Sequence, residues 1–387
     1  MVLLAVIYLA FIALGFPDSL LGAAWPMMRV DIAAPLSMAG AVSMVCSAGT
    51  ICSSLMSSRV VNRFGTGKVT ALSTALTAVA MIGYALAPAP WLLFVAAVPL
   101  GMGAGAVDAA LNNYVALHYE AKHMSWLHCC WGVGCSIGPM ILAGCIAGGL
   151  GWRMGYAIVI GLQFLLVAVM AATQKLWKAE NASPIAHEAA EQRFLTNGQA
   201  LRLPGMKAVL FTFLCYCAAE SSMILWTASY AEFLGASKDQ ASFASSLFFI
   251  GITVGRGLNG FLAMRFTSKQ LIRAGIALML TGIAVLLLPL GYAGCLAGVL
   301  IIGLGCAPIY PCTIHETPHR FGASSSQAAT GLQMSFAYTG STFMPPLMGL
   351  LTNVTGMGIL PLWMLGLTGI MLVCNEMVNK RTIQREN

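Results

Sequence analysis

Apolar runs of about 20 residues recur through the chain, and that is the length a helix needs to cross the hydrocarbon of a bilayer. They lie near 2–28, 37–57, 69–88, 91–117, 125–149, 152–173, 206–233, 241–263, 270–289, 292–315, 326–350 and 356–377. Lipid offers no hydrogen bonds, so backbone groups must be satisfied within each run, and helices do this locally. The spacing therefore predicts an all-α membrane protein of twelve transmembrane helices. Composition agrees. Hydrophobic residues make up 58% of the 387 and charged residues only 9%, with a mean hydropathy of +0.81, whereas a soluble domain carries about 25% charged residues. The 41 glycines suit membrane helices that approach closely.

The one long polar connection, 174–205, contains Lys175, Lys178, Glu180, Glu188, Glu191, Arg193 and Arg202. It divides the chain into a six-helix bundle over 1–173, a linker over 174–205 and a second six-helix bundle over 206–387. Of the 20 Lys and Arg residues, sixteen fall in loops on one side, Arg29, Arg153 and Lys238 fall on the other, and Arg256 lies inside a helix. Basic loops stay in the cytoplasm, so both termini and the linker are expected there. Compact loops suit the cytoplasmic membrane of a bacterium. The chain enters an apolar run at once, without a basic n-region, so no cleavable signal is expected.

Several classes are excluded. The net charge of +7 is spread over short loops, which does not fit nucleic-acid binding. The 12 cysteines lack metal-ligand spacing, so no metal or other cofactor is expected. No phosphate loop, nucleotide fingerprint or convergent nucleophile–base spacing is present, which argues against an ATP-driven pump and against an enzyme.

The halves repeat. Arg63-Phe64 recurs as Arg265-Phe266 and Gly101-x-Gly103 as Gly303-x-Gly305, both offset by 202 residues. The same offset carries Asp18 onto Glu220, and Asp108 onto the uncharged Tyr310. Paired six-helix halves with acids near the midplane are the pattern of a secondary transporter that rocks about a central site.

Ionisable residues within apolar runs are costly and mark functional sites. Asp108 shares a helix face with Gly101, Gly105 and Asn112, at i, i+4, i+7 and i+11. Asn112 suits a solute hydroxyl because an amide both donates and accepts; Asn113 points elsewhere and is expected to bond within the first half. Asp18 follows Pro17, where the missing N–H is expected to open the helix. Asp18, Asp108 and Glu220 are the candidate proton-coupling acids. Arg256 has two candidate partners, Glu220 and Asp108. His128, expected at the cytoplasmic start of helix 5, is a candidate gate or relay. Trp25 and Trp226 are interfacial anchors or stacking platforms for a sugar ring. Gln163, Asn259, Gln327 and Gln333 are candidate hydroxyl contacts, and His315-Glu316 reads as a solvated helix cap.

The stretch Ser58-Arg59-Val60-Val61-Asn62-Arg63-Phe64-Gly65-Thr66-Gly67-Lys68 resembles the cytoplasmic loop motif of the major facilitator superfamily. It departs at Ser58, where glycine is usual, and at Asn62, where aspartate is usual, while Arg63, Gly65 and Lys68 match. Gly15-Phe16-Pro17-Asp18, Gly22-x-x-Trp25-Pro26, the Gly101 to Asn112 run, His128 with Gly132-x-Gly134, Glu220 and Gly255-Arg256 resemble the fucose–galactose–glucose:proton symporter branch. The resemblance implies two pseudo-symmetric six-helix bundles. It also implies proton-coupled uptake of a monosaccharide or similar small polar solute, with Asp18 and Asp108 in coupling and binding and Arg63 in a cytoplasmic ion pair or gate. The expected partners are the solute, a proton (or sodium) and the lipid bilayer, with the chain a monomer. The rival readings are an exporter of drugs or hydrophobic metabolites and a solute sensor that transports nothing.

Overall fold

The computed structural model describes residues 2–34, 38–180, 195–236 and 238–386. Glu188, Glu191 and Arg193 of the expected linker lie outside the described residues. Among the described residues the chain is nearly all helix and contains no strand. In chain order the helices are α1 (Val2–Asp31), α2 (Met38–Phe64), α3 (Thr66–Ala85), α4 (Pro90–His118), α5 (Ala121–Ala147), α6 (Gly151–Ala172), α7 (Gln174–Glu180) and α8 (Asn197–Ala200). They continue as α9 (Met206–Phe233), α10 (Lys238–Leu262), α11 (Ser268–Leu287), α12 (Gly291–Cys306), α13 (Ile309–His315), α14 (Thr317–Phe321), α15 (Ala323–Thr355) and α16 (Leu360–Glu386).

All twelve predicted runs coincide with helix. Ten spans among the described residues are long and apolar enough to cross a membrane. The apolar part of α10, Ser246–Leu262, is shorter. α15 is more polar for a packing reason: its Ser325, Ser326, Gln327, Thr330, Gln333 and Ser335 are all buried among protein neighbours. The run at 292–315 is two pieces, α12 and α13, because Ala307 and Pro308 interrupt the helix and proline has no N–H to continue the ladder.

Three local expectations are corrected. α1 runs unbroken through Pro17. The carbonyl that Pro17 leaves without its donor is that of Ala13, and the Gln163 side-chain amide of α6 donates to it at 2.8 Å. The stretch 58–68 is mostly helical: α2 ends at Phe64, α3 begins at Thr66, and Gly65 alone makes the turn, at φ 81°. That left-handed backbone favours glycine. α5 begins at Ala121, which places His128 about two turns inside the helix and not at its start.

The described chain forms two compact units. One comprises Met1–Tyr114, Leu127–Thr196 and Ala323–Ser335; the other comprises Val115–Trp126, Asn197–Gly322 and Phe336–Asn387. Within the first, Gly101 of α4 lies against Cys46 and Thr50 of α2, and Gly103 against Ser73 and Thr77 of α3. Within the second, Gly303 of α12 lies against Phe248 and Gly251 of α10, and Gly305 against Gly275 and Met279 of α11. Small residues let membrane helices touch backbone to backbone. Phe248 is Cys46 displaced by 202 residues, and Gly275 and Met279 are Ser73 and Thr77 displaced likewise, so the offset seen in sequence reproduces helix packing residue by residue.

Candidate functional site

In the first unit, α5 meets Asp18 of α1 directly, through Trp131, and Asp108 of α4 through Asn112, by way of His128. The exposed carboxylate of Asp18 accepts a hydrogen bond from Trp131 Nε1 at 2.9 Å. One turn earlier on α5, His128 Nε2 lies 3.0 Å from Asn112 Oδ1. Asn112 Nδ2 in turn donates to Asp108 Oδ1 at 2.7 Å and to the Asp108 carbonyl at 2.9 Å. Asp108, Asn112 and His128 are 4%, 0% and 5% exposed. His128 is also held edge-on against the Phe11 ring of α1, with centroids 5.5 Å apart. The sequence put Asp108 and Asn112 on one helical face, and the fold adds the imidazole to it.

Asp18 and Asp108 thus sit in different settings. Asp18 is open to whatever fills the space beside α1. Asp108 is sealed, and an ionised carboxylate in such a place needs a hydrogen-bonding partner. Trp131 was not singled out in the sequence, because aromatic residues in membrane helices are common and its pairing with Asp18 spans 113 positions. The one available signal was its place three residues after His128, on the same face.

Asn113 finds its partner outside the first sequence half. The hydroxyl of Ser326, on α15, donates to its Oδ1, so the expectation of a partner within the first half is overturned. Two further polar pairs follow the 202-residue offset with their chemistry exchanged. In the first unit Gln327 Nε2 donates to Ser57 Oγ at 3.4 Å. In the second, Asn259 Nδ2 donates to Ser125 Oγ at 2.6 Å, with Cys312 Sγ 3.6 Å from the same nitrogen. Amide and hydroxyl have traded places between the repeats.

In the second unit Arg256 pairs with Glu220, one of its two candidates, with Nη2 to Oε1 at 2.8 Å. This pair joins α9 to α10. Trp226 donates to the Pro345 carbonyl at 2.9 Å and packs on Gly349 of α15. Trp25 is buried, as are Gln163 and Gln333. Arg63 is exposed and lies 5.5 Å over the Phe64 ring. The neighbouring turn is covered by α7: Gln174 Nε2 donates to the Gly67 carbonyl at 2.9 Å, and the Trp177 ring packs on Gly67. His315 Nε2 lies 3.2 Å from the Tyr119 carbonyl, so it is a packed contact and not a solvated cap. Among the described residues no group of three or more His, Cys, Asp or Glu could hold a metal.

The sequence profile of the Major Facilitator Superfamily matches residues 7–237 and 208–379. No curated protein matches the chain. The fold is similar to that of FucP, a Major Facilitator Superfamily transporter solved in the outward conformation, with a TM-score of 0.80, 14% identity and coverage of 98% of this chain and 99% of that one. An alanine variant of the E. coli fucose:proton symporter FucP gives a TM-score of 0.77 at 13% identity, covering 98% of both chains. The proton:xylose symporter XylE bound to 6-bromo-6-deoxy-D-glucose gives 0.80 at 13% identity, covering 97% of this chain and 94% of that one. At such identities the likeness is one of fold. With the family profile spanning nearly the whole chain, the protein belongs to the major facilitator superfamily and is a membrane transporter, not an enzyme.

Proposed function

We propose that the protein carries a monosaccharide or similar small polar solute inward together with a proton, by alternating access. The observation that supports this best is the pairing of an exposed and a sealed carboxylate through one helix. Asp18 is open and oriented by Trp131, while Asp108 is buried and tied through Asn112 to His128. An open carboxylate beside an indole offers a sugar both a hydroxyl acceptor and a stacking surface. A sealed carboxylate that gains and loses a proton changes the cost of closing the site around the solute. Neighbours in fold that are sugar:proton symporters support the same reading.

Two bundles, 1–173 and 206–387, would move about the site, with both termini in the cytoplasm as the basic loops indicate. Glu220, whose charge is matched by Arg256, holds α9 to α10 in this scheme and leaves coupling to the acids of the first half. The test is uptake by proteoliposomes across a panel of radiolabelled sugars, with and without an inward-directed pH gradient. The expected result is gradient-driven accumulation of at least one sugar. Asp108→Asn is expected to lose accumulation while retaining exchange at equal concentrations. Uptake that ignores the gradient, or accumulation of hydrophobic cations alone, would overturn the reading in favour of a facilitator or a drug exporter.

A further inference from the structure

The short helix α7 opens the polar connection, yet its tryptophan turns into the first unit. Trp177 is 2% exposed. Its ring lies on Gly67, in the first turn of α3, where a Cβ would stand 2.6 Å from the indole Cγ, so glycine is what leaves room for it. It also meets the Tyr114 ring near the end of α4, with centroids 5.0 Å apart and planes at 57°. Gln174 lies three residues earlier, on the same helical face. Its Nε2 donates to the Gly67 carbonyl at 2.9 Å and to the Met170 carbonyl of α6 at 3.1 Å. One indole thereby touches both α3 and α4, from a helix that follows α6 after the single residue Thr173.

The second repeat makes the same connection with other chemistry. The 202-residue offset carries Trp177 onto Asn379, Gln174 onto Glu376, Tyr114 onto Glu316 and His118 onto Arg320. In the second unit Arg320 Nη2 donates to Asn379 Oδ1 at 3.3 Å, and Arg320 Nε lies 3.5 Å from Glu316 Oε2. Glu376 accepts two hydrogen bonds from Arg273 of α11, at 2.7 and 2.6 Å. The end of α16 is thus tied to α11 and to the junction of α13 with α14, as α7 is tied to α3 and α4. Rings make the tie in one repeat and charges in the other. A connection kept at one register through such a change of chemistry is a task of the fold, not an accident of packing.

We infer that Trp177 is a positioning residue for transport, joining the start of α3 to the end of α4 so that the two move as one body. This deepens the alternating-access reading and rests on it for the part that concerns transport. Tyr114 follows Asn112 by two residues on α4, so an α4 end held at Trp177 keeps the register of the face that carries Asp108 and Asn112. Aromatic rings suit the task because they offer a large contact area with few torsions to freeze. Among the described residues the buried indole nitrogen meets no hydrogen-bond acceptor, so the ring and not its N–H makes the connection. Phenylalanine is therefore an adequate substitute, whereas alanine leaves a void against Gly67 and Tyr114.

The test is hydrogen–deuterium exchange of the full chain in detergent, read by mass spectrometry, in Trp177→Ala, Trp177→Phe and Gly67→Ala. Trp177→Ala is expected to raise exchange about ten-fold in both 62–70 and 110–118, since local opening follows the loss of buried contacts. Gly67→Ala, whose methyl displaces the ring, is expected to do the same and serves should Trp177→Ala fail to fold. Trp177→Phe is expected to keep both segments protected. Exchange that rises in 62–70 alone overturns the inference, as does a phenylalanine that protects neither segment. In proteoliposomes, with whichever radiolabelled sugar of the panel the parent accumulates, Trp177→Ala is expected to lower the maximal rate about ten-fold at unchanged KM. Trp177→Phe is expected to restore that rate. A raised KM at full rate overturns the positioning role. A parent that accumulates no sugar refutes the symport reading, while exchange in the two segments still decides whether Trp177 joins them.

Discussion

Pro17 shows how a single residue misleads when read without its neighbours. Its missing N–H predicts an opened helix and offers the adjacent Asp18 a structural task. The fold gives that task to Gln163, whose amide meets the Ala13 carbonyl at 2.8 Å, so α1 stays whole and Asp18 is released for other use. No local pattern could reveal this, because the donor lies 150 positions away. Asp31 makes a simpler case, just beyond the apolar part of α1. Trp152 Nε1 donates to it at 2.7 Å and Arg153 Nη1 at 2.8 Å, and these two donors hold its carboxyl below the usual carboxylate range. A depressed folded-state value means stability that is present above the unfolded value, about 3.9, and lost as pH falls through the folded one. Because Arg153 and Asp31 are both substantially exposed, their ion pair contributes little. Asp31→Asn is expected to lower the melting temperature at pH 7 by no more than about 2 °C, with a narrower gap to the parent at pH 3. Thermal unfolding followed by intrinsic fluorescence at both pH values measures this. A gap of equal size at pH 3 would show that the carboxylate's charge is not what stabilises the contact.

At the scale of elements, helices are legible because length and apolarity alone define them, and α10 and α15 are the instructive exceptions. Both are polar where they meet protein instead of lipid, as the buried Arg256 and Asn259 of α10 and Gln327 and Gln333 of α15 show. The choice of partner for Arg256 was not legible, since helix adjacency and charge allowed either Glu220 or Asp108. Its contact with Glu220 sits 5% and 15% exposed on the two sides, and a pair so buried behaves differently from a surface bridge. Removing one member strands the other charge, at a cost of about 3–5 kcal/mol, while replacing both with neutral side chains is often nearly neutral. Glu220→Gln alone and Arg256→Met alone are therefore expected to destabilise the protein strongly. The double variant is expected to recover most of the loss. Denaturant unfolding in detergent supplies the cycle. Additive losses in the double variant would mean that each residue has separate partners, and that α9 and α10 are not joined by this bond.

For the whole molecule, the 202-residue offset carries the strongest structural claim, because it pairs contacts and not just residue types. Gly49 meets Val98 and Met102, and Gly251 meets Leu300 and Leu304; each member of the second set is its counterpart in the first moved by 202. The offset was legible as two short sequence matches, but the exchange of Ser57–Gln327 for Ser125–Asn259 was not, since each pair joins residues far apart in the chain. Scaffold and chemistry have parted to different degrees under one symmetry. The glycine contacts kept their partners, whereas Asp108 and Tyr310 share a place and little else. If packing is the layer the two repeats still share, then equivalent glycines should tolerate bulk equally badly. Gly101→Leu forces α4 away from Cys46 of α2, and Gly303→Leu forces α12 away from Phe248 of α10. Overpacking of this kind costs about 1–3 kcal/mol. The two losses in thermal stability are expected to match, and to add in the double variant because the sites share no partners. Transport should fall with stability in both, whereas pH dependence should survive in both, since neither glycine touches Asp108 or His128 directly. A silent Gly303→Leu beside a damaging Gly101→Leu would show that the repeat is preserved in sequence without equal structural demand, and would place the weight of the fold on the first unit alone.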